Sequence, residues 1–291
     1  MNYEGVCSDN CQIVNCQIVK FARFMKAHFY AILATACIVM ASIVCISAGR
    51  KPVTLFMVGD STMADKEELD ASPERGWGQL FPTYLTGNIV VQNHARNGRS
   101  TKSFIDQGRW EEVMKRAKKG DIVIIQFGHN DAKKEDPARY STPEAYAQNL
   151  TNMVNEARAK KMHVVLCTSV NRREFAGDTL KQTLGDYPDK ARLVAEELGV
   201  PLLDLESTSR QWLEHLGDEA SKAYFMNVAP GECTKYPEGK IDNTHLREAG
   251  ALEIGRQAAE MIVSEENYVE CLAPYITFTQ GVRYTTPCGV K

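Results

Sequence analysis

The 291-residue chain lacks the marks of several protein classes. Its body has no concentrated basic stretch: residues 1–50 carry four Lys/Arg and two Asp/Glu, which leaves 30 and 35 for the remainder, a balance of −5. A nucleic-acid binder needs a concentrated positive surface, so that class is excluded. Histidine is scarce, with six in all, and no Cys-x-x-Cys pair occurs after residue 50, so a zinc site of that pattern has no ligands. The body also lacks internal repeats, low-complexity linkers and any composition shift that would mark a second domain.

The nine cysteines do not make a disulfide framework, because five of them (Cys7, Cys11, Cys16, Cys37, Cys45) fall in the first fifty residues. Cys167 lies inside the apolar run 163–168 and reads as a buried strand thiol. Cys271 and Cys288 flank a Thr/Tyr-rich stretch, where an oxidising compartment would allow them to bridge; spacing alone does not choose between disulfide and thiols.

The first fifty residues hold an uncharged run, 29–49, of about 20 residues, long enough to span a bilayer. Lys20, Arg23 and Lys26 precede it, and Ser47-Ala48-Gly49 closes it with small residues. A positive flank, an apolar centre and small residues make an export signal, with Met25 as a conventional start. An uncleaved membrane anchor and, more weakly, a lipoprotein are the rival readings. All three place the body outside the cytoplasm, and the membrane is a partner only through this segment.

Five short apolar runs follow, at 54–58, 89–92, 122–127, 164–168 and 201–205, each reading as a buried parallel strand. Helical patterns at 78–85, 110–118, 143–160, 187–198 and 246–263 alternate with them. That alternation predicts a three-layer α/β/α sandwich around a five-stranded parallel sheet, in one domain spanning 51–265. The tail 266–291 is expected to add one or two strands and to pack on the domain.

In such a sheet ligands bind beyond the carboxyl ends of the strands. The residues there are polar: Gly59-Asp60-Ser61-Thr62-Met63 after the first run, Asn97-Gly98-Arg99 after the second, and Gly128-His129-Asn130-Asp131 after the third. Asp242-Asn243-Thr244-His245 stands before the last helix. Singly, each has an ordinary explanation as a turn or helix cap. Together they supply what ester hydrolysis through a covalent intermediate requires. Ser61 offers a hydroxyl at a strand end, His245 can take its proton, and Asp242 can hold the imidazole tautomer. The backbone N–H groups of Ser61 and Gly98 and the amide of Asn130 can receive the oxyanion.

This order of blocks resembles the SGNH, or GDSL-like, hydrolases over about residues 53–262. More narrowly, the Gly59–Met63 block, Asn93 through Ser100, the run 128–137, and Tyr236-Pro237-Glu238-Gly239 ahead of Asp242 are similar to rhamnogalacturonan acetylesterases. The resemblance implies a flavodoxin-like fold and a mechanism without metal or other cofactor. It further implies removal of acetyl esters from the galacturonate-containing backbone of pectin; apart from the resemblance, a monomer is expected. By the same resemblance Ser61, Asp242 and His245 are catalytic, and Gly98 and Asn130 join Ser61 in the oxyanion hole.

A polyuronide carries carboxylates, which guanidinium groups pair with well. Arg172 and Arg173, after the fourth run, lie on the same rim, with Arg75, Arg96 and Arg99 in nearby loops, and one or two of these are expected at the substrate, the alternative for each being solvation or a local acidic partner. Trp77, between two glycines, is a candidate sugar-stacking face, with a place in the core as the alternative. Three rivals remain at this point. A metallophosphoesterase would use the Asp, Asn and His of the same blocks, but lacks further clustered ligands. An esterase acting on xylan, lipid or thioester would keep the chemistry, and a carbohydrate-binding module would keep only the fold.

Overall fold

The structure is a computed structural model and describes residues 52–278. The N-terminal export or anchor segment and Cys288, half of the bridge considered above, lie outside the described residues. No helix among the described residues is long and apolar enough to cross a membrane.

Five strands form a single parallel sheet in the order β2-β1-β3-β4-β7. They are β1 (Val53–Gly59), β2 (Ile89–Asn93), β3 (Ile122–Gln126), β4 (His163–Cys167) and β7 (Leu202–Leu203). Side chains alternate across the strands, which divides the core in two. Leu55, Met57, Ile122, Ile124, Val165 and Leu203 face one layer, formed by α1 (Trp77–Leu80), α6 (Leu205–Ser221) and α7 (Glu248–Val263). Phe56, Val58, Val123, Ile125, Val164 and Leu166 face the other. That layer is built from α2 (Thr101–Asp106), α3 (Arg109–Arg116), α4 (Pro143–Ala159) and α5 (Tyr187–Leu198). In β1 the four residues Leu55 to Val58 are at most 1% exposed. Full burial of such a side chain contributes roughly 1.5–3 kcal/mol each, so this short strand anchors both layers.

Several expected boundaries move. The run 201–205 gives only two strand residues, because Asp204 caps α6 by accepting from the Ser207 N–H. The pattern at 78–85 becomes α1 plus a 3-10 turn over Phe81–Tyr84, with Pro82 admitted at its start. A two-residue hairpin, β5 (Phe175–Ala176) and β6 (Thr179–Leu180), stands beside the sheet.

The strands expected after residue 266 do not form in the described part of the tail. The chain there makes a 3-10 turn over Ala273–Tyr275 and a single bridge from Leu85 to Ile276. Val269, Leu272 and Ala273 belong to the core. Thr86 N–H donates to the Tyr275 carbonyl and Thr277 N–H to that of Tyr84, so the domain's packing continues past 265.

Candidate active site

The site sits where β1, β2 and β3 end. The β1–β2 ladder runs on past the strands: His94 N–H donates to the Met57 carbonyl and Arg96 N–H to that of Gly59. This brings Asn97-Gly98 alongside the turn that carries Ser61. Gly98 has φ +73°, a left-handed conformation that favours glycine.

The Ser61 turn is fixed from below. Asp60, wholly buried, accepts from the N–H and hydroxyl of Thr62 at 2.9 Å each, and faces His129 Nδ1 at 3.2 Å. Burial disfavours charge on both partners. It wins at His129, which stays neutral, while the hydrogen bonds from His129 and Thr62 prevail at Asp60 and hold its carboxyl below the usual range. Thr62 in turn accepts from Gln126 Nε2 at 2.9 Å, and Gln126 Oε1 accepts from Trp77 Nε1 at 2.6 Å.

From above comes the loop before α7. His245 Nε2 lies 2.8 Å from Ser61 Oγ, and His245 Nδ1 lies 2.8 Å from Asp242 Oδ2. The other carboxylate oxygen of Asp242 accepts from the backbone N–H groups of Thr244 and His245 at 2.9 and 3.0 Å, so the loop folds around its own acid. Burial opposes charge on Asp242, but the hydrogen bonds and charges of His245 and Lys240 outweigh it and hold the carboxyl far below the usual range. An ionised Asp242 orients the ring so that Nε2 is left to accept from Ser61. Met226 N–H donates to the His245 carbonyl and Arg173 N–H to that of Asn243, pinning the loop to the rest of the rim.

Asn130 is buried, and its Nδ2 donates to the Arg99 carbonyl at 3.0 Å. One amide proton is thereby used to orient the group, and an amide has a second to offer. The neighbouring Asp131 is equally buried and accepts from the backbone N–H of Thr101 at 3.0 Å and from the Thr101 hydroxyl. Burial prevails over those bonds and pushes its carboxyl up to about 7.

An unfolded Asp titrates near about 3.9, so between roughly pH 4 and 7 the unfolded chain releases a proton that the folded chain keeps. The stability that this site contributes is full below pH 4 and is lost as pH rises to about 7. Chemical denaturation of wild type and Asp131→Asn across that range should show wild type losing stability relative to the variant as pH rises. A difference independent of pH would show that Asp131 is ionised throughout.

Two expected substrate contacts fail on burial. Trp77 is wholly buried with its indole N–H on Gln126, so it packs in the core beneath Ser61 and presents no face to a sugar. Arg173 is 5% exposed and its guanidinium turns to Asp218, so its part in the site is the backbone bond to Asn243. Arg75 is spent on the carbonyls of Leu69, Ser72 and Glu74. Arg172 is half-buried, donates to the Thr183 carbonyl at 2.9 Å and forms no ion pair among the described residues. It stays available at the rim.

Lys66 went unnoticed in the sequence. Its ammonium meets the Ser61 carbonyl and Asn97 Oδ1 at 2.7 Å each and Glu74 at 2.9 Å, joining the Ser61 turn to the Gly98 loop. No local pattern announces this, since residues 61, 74 and 97 meet only in the folded chain. Among the described residues no three His, Cys, Asp or Glu side chains are gathered as a metal site.

Comparison with known proteins places this geometry in context. Residues 57–251 match the GDSL-like Lipase/Acylhydrolase family. The chain is 41% identical to the rhamnogalacturonan acetylesterase RhgT of Bacillus subtilis over 73% of its own length and 90% of that protein's. It is 32% identical to the probable rhamnogalacturonan acetylesterase YesY of the same organism, over 72% and 91% of the two chains. Among solved structures, that of the B. subtilis protein YxiM superposes with a TM-score of 0.62 at 25% identity, covering 72% of this chain and 56%, a little over half, of that one.

Proposed function

The chain belongs to the GDSL-like lipase/acylhydrolase family, and from that premise we propose that it removes acetyl groups from rhamnogalacturonan through an acetyl-Ser61 intermediate. The observation that carries this reading is the unbroken line from Asp242 through His245 to Ser61, both links 2.8 Å long.

In this mechanism His245 Nε2 accepts the Ser61 proton as Oγ bonds to the acetyl carbonyl carbon. The carbonyl oxygen takes up negative charge opposite the N–H groups of Ser61 and Gly98 and the Asn130 amide. As the intermediate collapses, the C–O bond to the sugar breaks and His245 gives its proton to the sugar oxygen. Water then attacks the acetyl-enzyme with His245 again as base, releasing acetate and restoring Ser61. Asp242 remains ionised throughout and holds the imidazolium. The half-buried Arg172 on the same rim, without an ion pair among the described residues, supports a substrate that carries carboxylates. In this reading the protein acts outside the cytoplasm, on the strength of the uncharged run 29–49.

Acetate release from acetylated rhamnogalacturonan, acetylated xylan and p-nitrophenyl acetate, each beside a Ser61→Ala control, tests the proposal. Release chiefly from rhamnogalacturonan, lost in the variant, is the expected result. Release only from xylan or the nitrophenyl ester would keep the chemistry and overturn the substrate.

A further inference from the structure

Beside the Ser61 turn lies an open groove of about 450 Å³, and its two walls differ in charge balance. One wall is the segment 64–74, whose groove-lining acids, Glu67 apart, each have a close partner. Glu74 pairs with Lys66, Glu68 with Lys235, and Asp65 accepts from Asn93 Nδ2 at 2.7 Å. The facing wall is not matched. Arg99 Nε and Arg109 Nε both donate, at 3.0 Å, to the same neutral acceptor, Gln107 Oε1. Arg99 adds only the Asn97 carbonyl, at 2.8 Å, and neither arginine has an acidic partner among the described residues. Arg96 stands nearby with only a loose contact, 3.7 Å, to exposed Glu67.

Two guanidinium groups sharing one amide oxygen repel each other, and a protein surface ordinarily relieves this with a carboxylate. Burial disfavours the charged form of Arg109, and the charges of Arg99 and Arg96 disfavour it further. The groove leaves room for the missing anion. Its position is equally specific: Arg99 follows Gly98 directly in the chain, and its carbonyl holds the Asn130 amide. Arg99 is thus one residue along the backbone from the Gly98 N–H.

We propose that Arg99 and Arg109 form a carboxylate subsite that grips a uronate of the sugar chain while a neighbouring acetyl group is presented to Ser61. This deepens the polyuronide reading given above and rests on it. A planar carboxylate suits a guanidinium fork, and a neutral xylan or lipid ester offers nothing to it. The groove thus selects for charge along the chain, apart from the chemistry at Ser61.

The test uses an unacetylated oligogalacturonide as inhibitor of p-nitrophenyl acetate hydrolysis, with its carboxyl-reduced counterpart as the neutral control. Wild type should be inhibited competitively by the acid and not by the neutral sugar. Arg99→Gln/Arg109→Gln should need about tenfold or more inhibitor, in line with the loss of charged hydrogen bonds, and Arg109→Gln alone, which touches no oxyanion loop, should also need more inhibitor while hydrolysing p-nitrophenyl acetate as wild type does. Equal inhibition of both proteins, no inhibition of either, or a matching fall in p-nitrophenyl acetate hydrolysis would overturn the subsite. Acetate release from acetylated rhamnogalacturonan is measured separately. Its absence, with arginine-dependent inhibition intact, would overturn the substrate reading and leave the subsite standing.

Discussion

Asp242→Asn should cut kcat by about 10,000-fold and Ser61→Ala by more, with both proteins folded. The asparagine keeps the size of the side chain, but its amide presents an N–H where Asp242 Oδ2 accepts from His245 Nδ1. The ring then settles in the tautomer that has no lone pair for the Ser61 proton. The loss should exceed a simple charge effect, because the same carboxylate also organises the loop through the N–H groups of Thr244 and His245 and meets the Lys240 ammonium at 2.8 Å. Single-turnover kinetics on p-nitrophenyl acetate, read with a thermal melt, separates loss of chemistry from loss of fold. A variant within tenfold of wild type would mean that His245 does not depend on Asp242 for its tautomer.

The second large effect is expected at Asn130. Truncation to alanine removes an oxyanion donor, which typically costs about 100- to 1,000-fold in kcat. The charge develops only in the transition state, so KM should change little. The hydrogen bond from Asn130 to the Arg99 carbonyl is lost as well, so some of the effect will pass through the Gly98 loop. Asn130→Ala with unchanged kcat and raised KM would assign the side chain to ground-state binding and remove it from the oxyanion hole.

These two sites were legible in the sequence because each is local. Asp242 and His245 are three residues apart, and Ser61, Gly98 and Asn130 lie in the polar loops that follow the first three apolar runs, which the sheet order places side by side. The strands were legible for a related reason: β1, β3 and β4 are buried on both faces and read as unbroken apolar runs.

What escaped has its own physical causes. α6 mixes Leu205 and Leu213 with many charged residues, and Gly217 breaks its helical geometry at φ +75°, so its apolar stripe is weak. α2 is short and opened by a Ser100/Ser103 capping box in place of the familiar Ser-x-x-Glu, so its sequence carries only a weak helix signal. The hairpin β5–β6 turns on Gly177-Asp178, a signal too short to stand out beside longer runs. Trp77 and Arg173 were misplaced because composition shows which side chains could meet a sugar, not which are buried. Lys66 depends on contacts between distant segments, and the Arg99–Arg109 pair on how two nearby side chains turn onto Gln107, which no spacing rule encodes.

The most direct test is to look for the acetyl group itself. The enzyme is mixed with p-nitrophenyl acetate, quenched in acid within the first turnover, digested and read by mass spectrometry. The mechanism predicts one acetyl group on the peptide that carries Ser61, absent in Ser61→Ala. An unmodified Ser61 peptide while p-nitrophenol is released in a burst, or acetyl on another side chain that turns over as fast as product forms, would contradict it.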